Sequence, residues 1–189
     1  MQVDAQKYLN LVEATDRIGF LDIESSGFKA DYNRIFCASV VTYQGSCPRT
    51  WMVPKTGNDK TLLVDIKNWI DDSLDIVVTY YGKGFDWPML NSRRIYHNLP
   101  MLRPMHHIDM YYTLRPKLQI SSKKLGHVAN FLKLNNRKME VLPSTWAELL
   151  SDYDTNMPIL KERCESDVLV LRDLYKRLRK LITNVAMFG

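Results

Sequence analysis

The sequence predicts an α/β fold, a mixed five-stranded sheet with helices packed on it. Five apolar runs rich in β-branched and aromatic residues, near residues 18–25, 34–43, 49–53, 75–81 and 106–110, have strand length and are bounded by turn residues. The first three follow one another at hairpin distance, which favours antiparallel pairing. The last two are each preceded by a stretch of helical spacing, which makes them crossover strands. The C-terminal third is helical throughout, so helices must cover the sheet. A chain of 189 residues suits one domain over 1–189, burying roughly 70% of the unfolded surface.

Taken in order, residues 1–17 form a short amphipathic lead-in helix with Tyr8, Leu9, Leu11 and Val12 on its apolar side. The run Ile18-Gly19-Phe20-Leu21-Asp22-Ile23-Glu24 is the first strand. Successive side chains alternate, so Phe20, Asp22 and Glu24 share one face and Leu21 and Ile23 the other. RIFCASVVTY (34–43), a Gln44-Gly45 turn and RTWMV (49–53) complete the hairpins. Leu62, Leu63, Ile66, Trp69 and Ile70 mark a helix, and DIVVTYY (75–81) a buried strand. A glycine-loosened loop, Gly82-Lys83-Gly84, leads to a helix whose first position suits Pro88 and whose N-cap suits Asp86. HHIDM (106–110) is the fifth strand. Further helices begin at Ser121-Ser122, with Leu125, Val128, Ala129 and Leu132 as the stripe, and at Ser144-Thr145. The longest helix spans about Met157 to Ile182. Its stripe is Leu160, Cys164, Val168, Leu171, Leu174, Tyr175, Leu178 and Leu181, and Asp167 falls inside it.

A formal net charge of +5 is compatible with a polyanionic partner. No run reaches membrane-spanning length and the first residues lack a signal-peptide apolar segment, so a cytoplasmic protein with no membrane partner is expected. Cys37, Cys47 and Cys164 are odd in number and far apart, which fits reduced structural thiols rather than a zinc site.

Four acids stand out because they sit in apolar or strand-end contexts: Asp22, Glu24, Asp86 and Asp167. Each has a local alternative. Glu24 could belong to the Ser-Ser-Gly turn, Asp86 could only cap a helix, and Asp167 could pair with Arg163 one turn earlier. A buried carboxylate without a cation costs several kcal/mol, roughly the per-ion penalty in proteins, so all four stranding independently is improbable. A divalent cation between them removes the conflict.

The set and its order resemble the DEDD superfamily of 3′-to-5′ exonucleases on the ribonuclease H-like fold, which includes polymerase proofreading domains. FLDIESSG carries the first motif, YYGKGFDWPML the second and RCESDVLVLRDLY the third, a resemblance spanning about 18–178. HHIDMYYTLRPKL and SSKKLGHVANFLKL further resemble a stand-alone bacterial and phage branch of predicted ribonuclease H-like exonucleases. One departure is plain. The family places a Tyr or His four or five residues before the third-motif acid, whereas Arg163 and Glu162 stand there in this chain. Metal binding is untouched by that change, but the general base is left open, with Glu162, Glu165 or a nearby His as substitutes.

The resemblance implies a metal-dependent nuclease on DNA or RNA 3′ ends, with replication or repair proteins as possible partners. The acids themselves suit two Mg2+ or Mn2+ ions rather than zinc, clamping a phosphodiester so that one activates water and the other steadies the leaving oxygen. Asp22 is expected to bridge both ions, with Glu24 and Asp167 completing one site and Asp86 the other. Around them, Lys83, Phe85 and Trp87 flank Asp86 and follow Tyr80 and Tyr81, a pattern suited to stacking and phosphate contact on single strands, with core anchoring as the alternative for the aromatics. Lys123 and Lys124 are candidate phosphate contacts, as are Arg93 and Arg94. His106 and His107 could reach the rim, and Asp109 suits a helix cap or a supporting group. A structure-selective endonuclease and a nucleic-acid-binding adaptor with a degenerate site are the competing functions.

Overall fold

A computed structural model describes residues 5–183 and 185–188. The expected lead-in helix is Ala5–Ala14 (α1), and its first four residues lie outside the described ones. Leu9 and Val12 are buried, but Leu11, read as apolar face, is exposed. The strands are Ile18–Ser25 (β1), Ile35–Thr42 (β2), Arg49–Met52 (β3), Ile76–Thr79 (β4) and Met105–Asp109 (β5). The crossover helices are Lys60–Ser73 (α2) between β3 and β4, and Asp86–Tyr96 (α3) between β4 and β5. After β5 come Met110–Leu114 (α4), Leu125–Phe131 (α5), Pro143–Ala147 (α6) and Tyr153–Leu178 (α7). A short strand, Ala186–Phe188 (β6), ends the described chain.

The sheet order is β3-β2-β1-β4-β5-β6. The hairpin strands β1, β2 and β3 are antiparallel, and the crossover strands β4 and β5 run parallel to β1. This is the mixed five-stranded sheet the sequence predicts. β6 extends it antiparallel to β5, an addition of three residues too short to carry a periodic signal.

Alternation along β1 divides the core. Phe20 packs with Val41, Val78, Val168, Leu171 and Tyr175 under α7, while Leu21 and Ile23 face the opposite layer with Leu63, Ile66, Trp87 and Leu90 of α2 and α3. β1 is therefore buried on both faces, yet its pairing with β4 covers only Ile18–Phe20 while its pairing with β2 runs on to Ser25. The chain leaves β1 toward β2 on one side and returns as β4 on the other. Such a point, where successive connections diverge, leaves a crevice beyond the strand ends. Asp22 and Glu24 stand at its wall.

Several boundaries move for local reasons. α3 begins at Asp86 itself rather than at Pro88, with Phe85 at the N-cap position and no side-chain cap, so Asp86 is not spent on capping. α7 starts a turn before the residue preceding Pro158. α5 starts at Leu125, leaving Ser121 and Ser122 in the loop before it. No described helix is long and apolar enough to cross a membrane. Cys37 and Cys164 are buried free thiols and Cys47 is exposed.

Candidate active site

Carboxylate oxygens of Asp22, Glu24 and Asp167 lie within 4.8 Å of one another, although Asp167 is some 140 residues away in sequence. The helix stripe explains its position. Val168, Leu171 and Leu174 bury their side of α7 against β1, and Asp167 is carried in with them to 2% exposure. Asp86 lines the same cleft from the first turn of α3, together with Phe28, Phe85, Lys138 and Arg163; the cleft measures about 430 Å3. All four acids expected from the sequence thus face one space.

The electrostatics show how much this convergence strains the protein. Burial, then the charges of Asp167, Asp86 and Glu24, push the Asp22 carboxyl well above its ordinary value, with Lys138 opposing. Burial pushes Asp86 to about 7, aided by Asp109 and Glu24 and resisted by the backbone amides of Asp86 and Ile23. Glu24 is raised by burial but held back by Arg163 and a hydrogen bond from Trp146; Asp167 is raised by burial and held back by Lys138 and Arg163.

Lys138 and Trp146, which no sequence pattern marks, complete the site together with Arg163, expected as a partner of Asp167 and turned mainly to Glu24. Arg163 donates from Nε to Glu24 Oε1 at 2.7 Å and from Nη1 to the Met139 carbonyl at 2.6 Å, and its guanidinium lies 5.1 Å over the Trp146 ring. Trp146 Nε1 donates to Glu24 Oε2 at 2.9 Å. Both oxygens of Glu24 are therefore oriented. The i,i+4 alternative for Asp167 holds only weakly, since Arg163 Nη2 is 3.8 Å away; its principal partner is Lys138 Nζ on Oδ2. Asp167 Oδ1 is buried with no hydrogen-bond partner among the described residues. That orphaned oxygen, in an all-oxygen donor set, fits a hard divalent cation such as magnesium or manganese.

A larger groove of about 1050 Å3 adjoins the cleft and shares Asp22, Phe28, Tyr80, Tyr81 and Lys138 with it. Lys123, Lys124 and Tyr111 line its far side. Phe28 is 84% exposed and meets Phe85 edge-on at 5.8 Å between ring centroids. Tyr81 stacks on Tyr112 at 5.9 Å and holds φ +67°, a left-handed conformation that a tyrosine rarely adopts. Asp109 enforces it: Oδ1 accepts from the Tyr81 amide at 2.9 Å, Oδ2 from the Lys83 amide at 2.9 Å, and Oδ1 also caps α4 through Tyr111. Gly84 has no side chain for a related reason, since a Cβ there would lie 2.6 Å from the Tyr81 ring. Asp109→Ala is expected to lower stability by about 1–3 kcal/mol through its three lost acceptances. Faster hydrogen exchange confined to the Tyr81 and Lys83 amides would be the accompanying signature.

Other expected contacts are elsewhere. Trp87 is 1% exposed in the core, so no base can stack on it. Lys83 contributes its backbone amide to Asp109 and does not line either cavity. Arg93 and Arg94 are buried rather than offered to phosphate. Arg93 pairs with Asp59, and Arg94 donates to the carbonyls of Pro100 and Leu63. His107 is a core residue bonded to Thr79 Oγ1, held neutral by burial at a value near 3, and His106 packs on Tyr8. Neither reaches the cleft. Helical periodicity hides such cases, because a charged residue on an otherwise polar face reads as solvated whether or not a neighbour covers it.

The sequence matches the family model described as RNase H superfamily over residues 19–179. The chain belongs to the RNase H superfamily. A curated relative, an uncharacterized protein, YprB, of Bacillus subtilis (strain 168), is 31% identical over 144 residues, which is 70% of this chain and 34% of that protein. The chain thus spans about a third of the length of that relative. Among solved structures, the family B DNA polymerase of the hyperthermophilic archaeon Pyrobaculum calidifontis superposes with a TM-score of 0.75 at 19% identity, covering 86% of this chain and 24% of the polymerase chain. That similarity is one of fold.

Proposed function

We propose that this RNase H superfamily chain is a divalent-metal-dependent 3′-to-5′ exonuclease acting on single-stranded DNA or RNA, working as one domain in the cytoplasm. The observation that carries the reading is that four carboxylates from β1, α3 and α7 face a single cleft that opens into a groove lined by aromatic rings and lysines. Asp22, Glu24, Asp167 and Asp86 would hold two magnesium or manganese ions. When bound, the ions supply Lewis-acid polarisation of the phosphate and a lowered pKa for the attacking water. The chain's part is positional. Trp146 and Arg163 fix both oxygens of Glu24, and the mutual repulsion of the crowded carboxylates is relieved when a cation sits among them. Because that water activation does not depend on a Tyr or His, Arg163 and Glu162 at the positions of the missing base are compatible with turnover slowed within the usual contribution of roughly 10² to 10⁴-fold. Phe28, Tyr81 and Tyr111 offer faces for unpaired bases, and Lys123 and Lys124 offer charge to the backbone that joins them.

Single-stranded DNA and RNA labelled at the 5′ end, incubated with Mg2+ or Mn2+, should give a ladder shortening from the 3′ end one nucleotide at a time and vanishing with chelator. Cleavage of circular single strands would instead establish an endonuclease. The cations already seated on Glu24 and Asp167 favour one further reading, a nucleic-acid-binding adaptor. Calorimetry decides it: strand binding with no uptake of Mn2+ and no cleavage of any polymer makes the chain an adaptor.

Phe28→Ala tests the groove separately. Losing one exposed stacking face should weaken binding of an oligonucleotide by about 1–3 kcal/mol, read by fluorescence anisotropy, and leave the melting temperature unchanged.

A further inference from the structure

Between β1 and β2 the chain makes a closed loop rather than a tight turn. The Ser26 amide donates to the Arg34 carbonyl at 3.0 Å and the Arg34 amide to Ser26 Oγ at 3.1 Å, which ties the two ends together. Inside, Asn33 donates to the Lys29 carbonyl from its amide at 2.9 Å and from Nδ2 at 2.8 Å, and Arg93 holds the Ala30 carbonyl. This fixed loop carries Phe28 at 84% and Tyr32 at 85% exposure, the two most exposed large apolar or aromatic side chains among the described residues. The two rings serve different spaces. Phe28 lines the acidic cleft and its groove, whereas Tyr32 lines a separate cavity of about 290 Å3, and no described residue lines both that cavity and the cleft or groove.

The loop, the turn at 56–58 before α2 and the end of α3 bound this cavity. Tyr96 supplies a second ring, 66% exposed, with the Arg93 guanidinium 4.3 Å from its centroid. Arg93 is locked on the buried Asp59, so it steadies one face of Tyr96 and leaves the other to solvent. Arg34 supplies charge. Its side chain makes one hydrogen bond among the described residues, Nη1 to the Gly57 carbonyl at 3.1 Å, which leaves Nε and Nη2 for a ligand. Gly57 holds φ +73°, and a Cβ there would lie 2.7 Å from Arg34 Nη1, so the glycine lets the guanidinium lie against the turn. Asp31 adds a carboxylate acceptor.

These groups match the parts of a nucleotide: ring faces for the base, a guanidinium for the phosphate, and a carboxylate for amino or hydroxyl donors of base or sugar. The volume lies at the lower end of small-molecule sites, room for one such unit. Inorganic phosphate alone would leave both rings unused and meet Asp31 as a like charge. We propose that this cavity binds one nucleotide unit, a base with its phosphate, outside the acidic cleft. Nothing in this assignment requires cleavage at the acids. The unit is either a free monophosphate or one nucleotide of a strand that crosses the loop from Phe28 to Tyr32.

Titration of the 15N-labelled chain in chelator with adenosine 5′-monophosphate, an oligoadenylate and inorganic phosphate, followed by amide shifts, tests it. The amides of 31–34, 56–58, 96 and 97 should shift saturably. Tyr32→Ala should weaken that binding about five- to 150-fold, the range of one lost base–aromatic stack, with an unchanged melting temperature because the ring is exposed. Arg34→Gln, which keeps a donor for Gly57 and removes the charge, should weaken it about 10- to 150-fold. Phe28→Ala should leave these shifts as they are. Saturation by the monophosphate identifies a free nucleotide as the ligand; shifts with the oligoadenylate alone identify a nucleotide within a strand. Phosphate acting as well as the monophosphate, or shifts indifferent to Tyr32→Ala, would reduce the cavity to an anion site and overturn the proposal. Silent amides with all three ligands also overturn it, and if the wild type still cleaves with Mn2+ the exonuclease stands. Nucleotide bound here by a chain that cleaves nothing removes the exonuclease and leaves this site.

Discussion

Asp22→Asn is expected to reduce cleavage by roughly 10³-fold or more while raising the melting temperature of the protein. The loss of activity follows from position, since Asp22 faces Glu24 and Asp167 within 4.8 Å and lies near Asp86. The gain in stability follows from the same crowding. A carboxyl whose folded-state pKa is raised by burial and by three neighbouring acids contributes fully to stability only below its unfolded value near 3.8, and that contribution is lost as pH rises through the folded value. Above its unfolded value Asp22 therefore opposes folding, and an isosteric amide relieves it. A gain of about 1–2 kcal/mol, or roughly 2–8 °C for a chain of this size, is the expected scale. Calorimetric scans in chelator measure it directly. Adding Mn2+ should then raise the wild-type transition by mass action and leave the variant's nearly unmoved. A variant that melts below wild type in chelator would mean that Asp22 is a structural acid whose charge the fold needs.

How far the sequence carries toward this site depends on which residues are asked about. The acids were legible because each breaks a pattern: Asp22 and Glu24 interrupt an apolar strand, and Asp167 interrupts a helical stripe. A broken period is local, so a single sequence suffices to see it. Their convergence required the topology, which the hairpins and crossovers supplied. The partners of the acids break no pattern. Lys138 lies in a segment without period and Trp146 in a five-residue helix, so nothing local separates them from solvated residues; Arg163 was visible as the i,i+4 neighbour of Asp167, but its main partner, Glu24, was not. Asp86 was legible for its place after β4, but the helix begins at it rather than after it, which frees the carboxylate for the cleft. Trp87 and Arg94 show the converse, where motif adjacency or charge suggested a nucleic-acid contact and packing decided otherwise.

Asp59→Ala should be among the most destabilising single changes outside the cleft, lowering stability by about 3–5 kcal/mol because it strands a buried guanidinium. Asp59 is 0% exposed. It stands at the N-cap position of α2 yet does not cap it. Its oxygens instead receive Arg93 Nε and Nη2, both at 2.9 Å, and the Ile35 amide at 3.0 Å, with His97 Nε2 at 2.6 Å. Burial alone would raise its pKa; Arg93, the Ile35 amide and His97 more than reverse that, so the carboxyl titrates below its ordinary value. A depressed folded-state value gives stability that is present above the unfolded value near 3.8 and lost as pH falls through the folded one. Wild type should therefore lose this contribution only below about pH 4, and the difference between wild type and Asp59→Ala should shrink in that range. The double variant Asp59→Leu with Arg93→Met removes both charges and should melt above either single variant, as buried pairs replaced together by apolar residues do. The network also reaches the cleft. Arg93 Nη1 holds the Ala30 carbonyl at 3.1 Å, in the loop that presents Phe28 beside the acids. Arg93→Met should consequently loosen that loop, so oligonucleotide KM rises more than kcat falls. A variant equal to wild type in melting temperature and KM would show that Asp59 and Arg93 are dispensable to both the fold and the loop.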